Sequence, residues 1–175
     1  MNSSTENNEA CPSCEFDENL FILREIYFFS ELPLETLKVI AYLCTRENFK
    51  KGDYLFHQNE DDGHSFYIIS GKAGLGRDDG NRSIEIREFE NGAFMGSMAL
   101  LGTARRLFSL QALTDMTCLV LTREKFTKTM EQFPDIMPRI LKTVVGSIHA
   151  WEKIFLGEID ESCEACIHKI GVSLV

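Results

Sequence analysis

The sequence predicts a mainly β protein: an antiparallel double-stranded β-helix, or jelly roll, with helices before it and a long helix after it. Three observations carry this expectation. From Arg46 to Leu121 the apolar segments are short and recur at about 8 to 12 residue intervals. Turn signals separate them, namely Lys51-Gly52-Asp53, Asp61-Asp62-Gly63, Ser70-Gly71, Asp78-Asp79-Gly80 and Asn91-Gly92. On both sides of this region the apolar spacing becomes helical.

Residues 1–17 are polar and acidic, a composition that predicts a flexible arm. Over Glu18 to Phe29, the positions of Leu20, Phe21, Leu23, Ile26, Tyr27 and Phe28 suit an amphipathic helix. A second helix is expected from Pro33 to Cys44, after the turn Ser30-Glu31-Leu32-Pro33. The jelly roll is expected over about 49–121, with strands at Tyr54–Phe56, Ser65–Ile69, Gly74–Arg77, Ile84–Phe89, Phe108–Leu113 and Cys118–Leu121. Gly71, Gly80 and Gly92 are assigned to turns, and Phe66, Ile68, Phe89, Phe94, Leu110 and Leu119 to the core. Thr122-Arg123-Glu124-Lys125 reads as a cap into a short helix ending near Phe133-Pro134. A longer helix follows from about Asp135 to Leu156, closed by Gly157. The domain is therefore placed at 18–157, with its C-terminal helices at about 123–156 and an acidic, cysteine-containing tail at 158–175.

A chain of 175 residues, 44% of them hydrophobic, supports one domain with one sizeable core. Its 18 Lys and Arg against 27 Asp and Glu give a net charge of −9, which argues against binding nucleic-acid phosphates or anionic lipid surfaces. A small anion held by one or two buried cations remains compatible with that charge. No apolar run approaches the ~20 residues of a membrane span. The opening MNSSTENNEACPSC has neither the basic patch nor the apolar core of a signal peptide, so a reduced, cytoplasmic protein is expected. The 18 residues after Gly157 include Glu158, Asp160, Glu161 and Glu164, which leaves neither room nor charge for a DNA-reading domain.

The most informative stretch is Asn91 to Ala112, NGAFMGSMALLGTARRLFSLQA. Gly96 precedes Ser97-Met98-Ala99-Leu100-Leu101, which reads as one helical turn starting at a glycine. A helix start presents unpaired N–H groups and a positive dipole end, and small residues let an anion approach them. Arg105 and Arg106 follow beside Leu107 and Phe108, where a partly buried guanidinium suits a phosphate. Neither a Walker loop nor a GxGxxG fingerprint is present.

This region resembles a cyclic nucleotide-binding domain, the sensor module of catabolite-activator-type regulators, cyclic-nucleotide-dependent kinase regulatory subunits and gated channels. Lys51-Gly52-Asp53-Tyr54-Leu55-Phe56 is similar to that family's opening glycine turn and strand, and Ser65 to Gly71 to its aromatic strand ending in a glycine turn. Gly92-Ala93-Phe94-Met95-Gly96 with Met98-Ala99-Leu100-Leu101 resembles its phosphate-binding cassette. Arg106, nine positions after Ser97, falls where the family's phosphate arginine sits. The resemblance covers about 130 residues. It implies a non-catalytic regulatory module. Backbone N–H groups around Gly96, Ser97, Met98 and Ala99, and after Arg106 at Leu107, would cradle the phosphate of cyclic AMP or cyclic GMP. Arg106 would neutralise its charge. Two departures stand out. Ser97 occupies the place of the family's ribose-binding Glu, which implies weaker binding. Leu107 replaces a small residue, and its bulk is expected to narrow the pocket.

Other chemistries were weighed on the residues. A metal-dependent cupin needs converging histidines, and His57, His64, His149 and His168 have no such spacing. Two CxxC pairs, Cys11 with Cys14 and Cys163 with Cys166, could form a four-sulfur metal or redox site if the chain ends meet. Their 148-residue separation favours free thiols and no metal. Redox or metal sensing, and a degenerate nucleotide domain that binds a protein, are thus the alternatives to nucleotide sensing. Finally, Met137, Leu141, Val144, Ile148, Trp151 and Phe155 form an a/d heptad seam in the long helix, which predicts a homodimer through that helix. A further protein partner would receive the signal.

Overall fold

The computed structural model describes residues 12–80 and 82–158. Helix α1 spans Pro12–Glu25, a 3-10 turn spans Tyr27–Phe29, and α2 spans Leu34–Leu43. Eight strands follow: β1 Thr45–Phe49, β2 Tyr54–Phe56, β3 His64–Ser70, β4 Ala73–Asp78, β5 Ser83–Phe89, β6 Phe94–Met95, β7 Ser109–Ala112 and β8 Met116–Thr122. The short helix α3, Ser97–Leu101, lies between β6 and β7. After β8 come α4 Arg123–Gln132, a 3-10 turn Pro134–Ile136, and α5 Met137–Glu158. The strands form two four-stranded antiparallel sheets, ordered β1-β8-β3-β6 and β2-β7-β4-β5. This is the mainly antiparallel β architecture with flanking helices that the segment pattern predicts. No helix among the described residues is long and apolar enough to cross a membrane.

Two cores share the β1-β8-β3-β6 sheet. On β8, Cys118 and Val120 share a core with Phe66 and Ile68 of the neighbouring β3 and with Phe56 and Leu110 of the opposite sheet. Leu121, one residue on, joins the helical core of Leu23, Phe28, Phe29, Ile40, Phe126 and Ile140. Strand periodicity of two accounts for the split. Thr122 caps α4 through its side chain, which accepts from the Lys125 N–H.

The first helix differs from the sequence expectation at both ends. The first helix begins at Pro12, whose missing N–H costs nothing in a first turn, so residues 12–17 are helical and not part of a flexible arm. Residues 1–11 lie outside the described residues. That helix also stops at Glu25, and Ile26 is extended. Phe28 and Phe29 are both buried, at 7% and 1% exposure. Both lie in the 3-10 turn, and the two rings pack edge to face at 4.9 Å.

Strand β1 was not anticipated, because its sequence TRENF has no apolar alternation. Pairing with β8 supplies its order, and Arg46 fastens it to α1 by donating to Glu18 at 2.8 Å and to Asn19 at 2.9 Å. The long helix starts at Met137 and runs through Gly157 to Glu158, so the glycine does not close it. Phe66, Ile68, Leu110 and Leu119 are buried as expected. Phe89 and Phe94 are only half-buried; the Arg87 guanidinium lies 5.0 Å over the Phe89 ring.

Gly71, Gly80 and Gly92 all take the left-handed conformation of turns. Gly71 is the most constrained. Its φ is +94°, and a Cβ there would sit 2.4 Å from Met116 Cβ and 2.6 Å from the Asp115 carbonyl oxygen. Backbone on both sides leaves little room to relax. Gly71→Ala is therefore expected to destabilise the fold by about 3 kcal/mol, read from denaturant midpoints. A loss below about 1 kcal/mol would show that this turn can shift.

Candidate functional site

Gly96 ends β6 and precedes α3 with φ 90° and ψ 15°. A Cβ on it would fall 2.6 Å from the His64 carbonyl oxygen and 3.1 Å from Arg106 Nη1. Only glycine lets the cassette backbone approach β3 and this arginine so closely. In α3 the Ala99 N–H donates to Gly96 O at 3.0 Å. Ser97 and Met98 supply first-turn N–H donors with no acceptor four residues back in the helix. Ala99 and Leu100 are buried, Ser97 is half-buried and Met98 is exposed.

Arg105 and Arg106 part company in the structure. Arg105 is exposed, whereas the Arg106 side chain retains only 10% exposure. Its Nε and Nη2 donate to the Asp62 carboxylate at 2.9 and 3.0 Å, and Nη2 also donates to the His64 carbonyl. The guanidinium lies 4.1 Å over the Phe56 ring. Two backbone bonds hold the residue itself: Arg106 N–H donates to Glu60 O, and Asn59 N–H to Arg106 O, both at 2.8 Å. Leu107 is 70% exposed, so its side chain turns outward.

Four residues of this arrangement were not singled out from the sequence: Phe56, Asp61, Asp62 and Arg123. Asp61-Asp62-Gly63 read only as a turn, yet each carboxylate takes a different arginine. Arg123, the first residue of α4, donates from Nη1 to Asp61 at 3.2 Å and also from Nη2. Its Nε donates to the Ala99 carbonyl in α3 at 2.6 Å. The Arg123 hydrogen bond holds the Asp61 carboxyl below the usual carboxylate range, with help from the Ala104 N–H. The tandem aspartates thus tie the candidate phosphate arginine, the cassette helix and α4 together. Two acids before a glycine were the available signal.

A cavity of about 550 Å³ adjoins the cassette on its helical side, lined by Tyr27, Phe94, Ser97, Met98, Ile148 and Trp151 among others. It connects the start of α3 to α5.

Among the described residues the cysteines offer no comparable site. Cys14 is exposed, while its proposed partners Cys11, Cys163 and Cys166 lie outside the described residues. Desolvation pushes the Cys44 and Cys118 thiols up to about 12, which leaves them protonated and unreactive. Among the described residues no group of His, Cys, Asp and Glu could hold a metal ion.

Comparison with known proteins agrees with this geometry. The family model described as "Cyclic nucleotide-binding domain" matches residues 46–133. The chain belongs to the cyclic nucleotide-binding domain family. It is 32% identical over 131 residues to a cAMP-dependent protein kinase regulatory subunit of Colletotrichum orbiculare, covering 70% of this chain and 33% of that one. The chain thus spans about a third of that relative's length. Among solved structures, the N-terminal domain of a transcriptional regulator from Streptomyces coelicolor superposes with a TM-score of 0.67 at 20% identity, over 75% of this chain and 95% of that one. The regulatory domain of Toxoplasma gondii PKA, solved with cAMP, superposes with a TM-score of 0.61 at 18% identity, over 74% of this chain and 51% of that one. Both structural likenesses concern the fold.

Proposed function

We propose that this domain is a non-catalytic sensor that binds the phosphate of cyclic AMP or cyclic GMP between the start of α3 and Arg106. The observation that carries the reading is the approach of the Arg106 guanidinium to within 3.1 Å of the position a Gly96 Cβ would take. One cation, first-turn N–H donors and a glycine cradle converge there, which is the donor set a phosphodiester needs. Arg106 also has a carboxylate partner already, so an incoming phosphate must share it with Asp62. That observation favours a second reading, in which Asp62 permanently satisfies Arg106 and the domain serves as a protein-binding module.

Calorimetry with cyclic AMP and cyclic GMP separates the two. Ser97 lacks the carboxylate that would accept from a ribose hydroxyl, and a charge-assisted bond contributes about 1.5–3 kcal/mol. Ser97→Glu is therefore expected to tighten cyclic nucleotide binding by about 10- to 100-fold. Failure of both the natural chain and Ser97→Glu to bind either nucleotide at millimolar concentration would leave the protein-binding module.

We further infer output through α5 as a homodimer in a reducing, cytoplasmic setting, with a protein partner downstream. Met137, Leu141, Val145, Ile148 and Trp151 are each at least 43% exposed along α5, a stripe that a second copy would cover. Val145 joins it where Val144 was expected, because Val144 packs into the helical core. Sedimentation at micromolar concentration is expected to give a dimer that Ile148→Asp dissociates. A monomer of about 20 kDa in the natural chain would end this part of the reading.

A further inference from the structure

We propose that His64 makes anion binding at Arg106 pH-dependent, with tighter binding as the pH falls. The proposal rests on Arg106 being the phosphate cation. Asp62 lies between two basic side chains. Arg106 donates to its carboxylate at 2.9 and 3.0 Å, and His64 Nδ1 stands 3.9 Å from Oδ2. At 3.9 Å a neutral imidazole makes no hydrogen bond, whereas an imidazolium forms an ion pair. The His64 side chain is 38% exposed to solvent. Its own carbonyl accepts from Arg106, which places the switch and the cation on one short piece of backbone.

The charged groups around His64 leave Asp62 as its counterpart. A cleft between the Asp62–His64 turn and α4 is lined by Arg123, Glu124, Lys128 and Glu131. Glu124 is paired with Lys128 at 2.6 Å, and Arg123 with Asp61. Glu131 sits in the next turn of α4. The neighbouring strands contribute Phe94 and Met95 from β6 and Thr122 from β8, none of which titrates in this range. On the other side of the ring, His64 stacks at 28° to Phe66.

The sign follows from these positions. With His64 neutral, the Asp62 charge is committed to Arg106, and a phosphate must compete with that carboxylate. A proton on His64 divides the Asp62 charge between two cations and adds positive potential beside Arg106. Both effects favour an incoming anion. Histidine side chains change charge between about pH 5 and 8, while a cyclic phosphodiester remains a monoanion throughout. By linkage, anion binding must then take up a proton. The domain would read nucleotide and acidity together.

The test is calorimetric titration of the full chain with cyclic AMP at pH 6 and pH 8, in two buffers of different ionisation enthalpy. Affinity is expected to be about 3- to 10-fold higher at pH 6, with net proton uptake near neutral pH. His64→Gln should bring the two affinities together and remove the proton uptake. His57→Gln, which changes a ring whose centroid lies 4.2 Å from that of Tyr54, should retain both. Asp62→Asn should bind more tightly than the natural chain at pH 8 and show a smaller pH ratio. Binding that is independent of pH, or a pH ratio that persists in His64→Gln, would overturn the switch while leaving the phosphate site intact. Absence of binding at both pH values, in the natural chain and in Ser97→Glu, would overturn the phosphate site and the switch with it.

Discussion

Arg106→Ala is expected to weaken binding of a cyclic nucleotide by about 100-fold or more, with Arg106→Lys between it and the natural chain. The guanidinium comes within 3.1 Å of the position a Gly96 Cβ would take, and its side chain is 10% exposed, so little water screens it. Each charge-assisted hydrogen bond contributes about 1.5–3 kcal/mol, and a phosphate can take two from one guanidinium. Lysine keeps the charge but not the fork. Truncation also strands Asp62, whose side chain is only 15% exposed, and removes the cation over the Phe56 ring. Some loss of stability therefore accompanies the loss of affinity, and Arg106→Ala/Asp62→Asn isolates the ligand effect by removing the stranded charge. Isothermal titration is the measurement. Unchanged affinity of a nucleotide shown to bind the natural chain would place the phosphate elsewhere.

The largest effect on stability is expected at Phe126. This residue of α4 is fully buried, and its ring lies 6.0 Å from Phe28 and 6.3 Å from Phe29. Phe94, next to the cassette, packs on the same two rings at 6.1 and 5.6 Å. Phe126→Ala removes a whole ring from a site with backbone on several sides, so collapse into the void is incomplete. A loss of about 3–5 kcal/mol is expected, a large part of the 5–15 kcal/mol typical of a domain. The melting temperature should fall by roughly 10 °C. Phe126→Leu, which keeps much of the volume, should cost under half as much. An alanine variant within 1 kcal/mol of the natural chain would show that this cluster is not the structural centre of the helical half.

The contrast between Arg105 and Arg106 shows where sequence reading reaches its limit. Family spacing favours Arg106, and in the loop before β7 the structure leaves Arg105 exposed and turns Arg106 inward. Nothing local, however, identified the carboxylate that receives it. Asp62 is 44 residues away in sequence and reaches Arg106 only because β3 lies beside β6 and the cassette. The same holds for Arg123, which read as a helix-capping neighbour and proves to bridge α3 and Asp61.

Local physical chemistry was enough for much of the architecture. Turn glycines are legible because only glycine takes positive φ freely, and Gly71, Gly80 and Gly92 all do so. Strands such as Ser109–Ala112 are legible because alternation writes a buried face into the sequence. The start of α4 is legible because a threonine hydroxyl satisfies a helix-end N–H. The sequence by itself thus determined the order of elements, the antiparallel β class, the family and the glycine cradle, all properties of neighbours along the chain. Tertiary structure alone decided the polar strand β1, the break in the first helix, and the outward turn of Leu107. It also decided the two arginine–aspartate pairs. Each of these depends on a partner distant in sequence, and a pairing energy appears only when both partners are brought together.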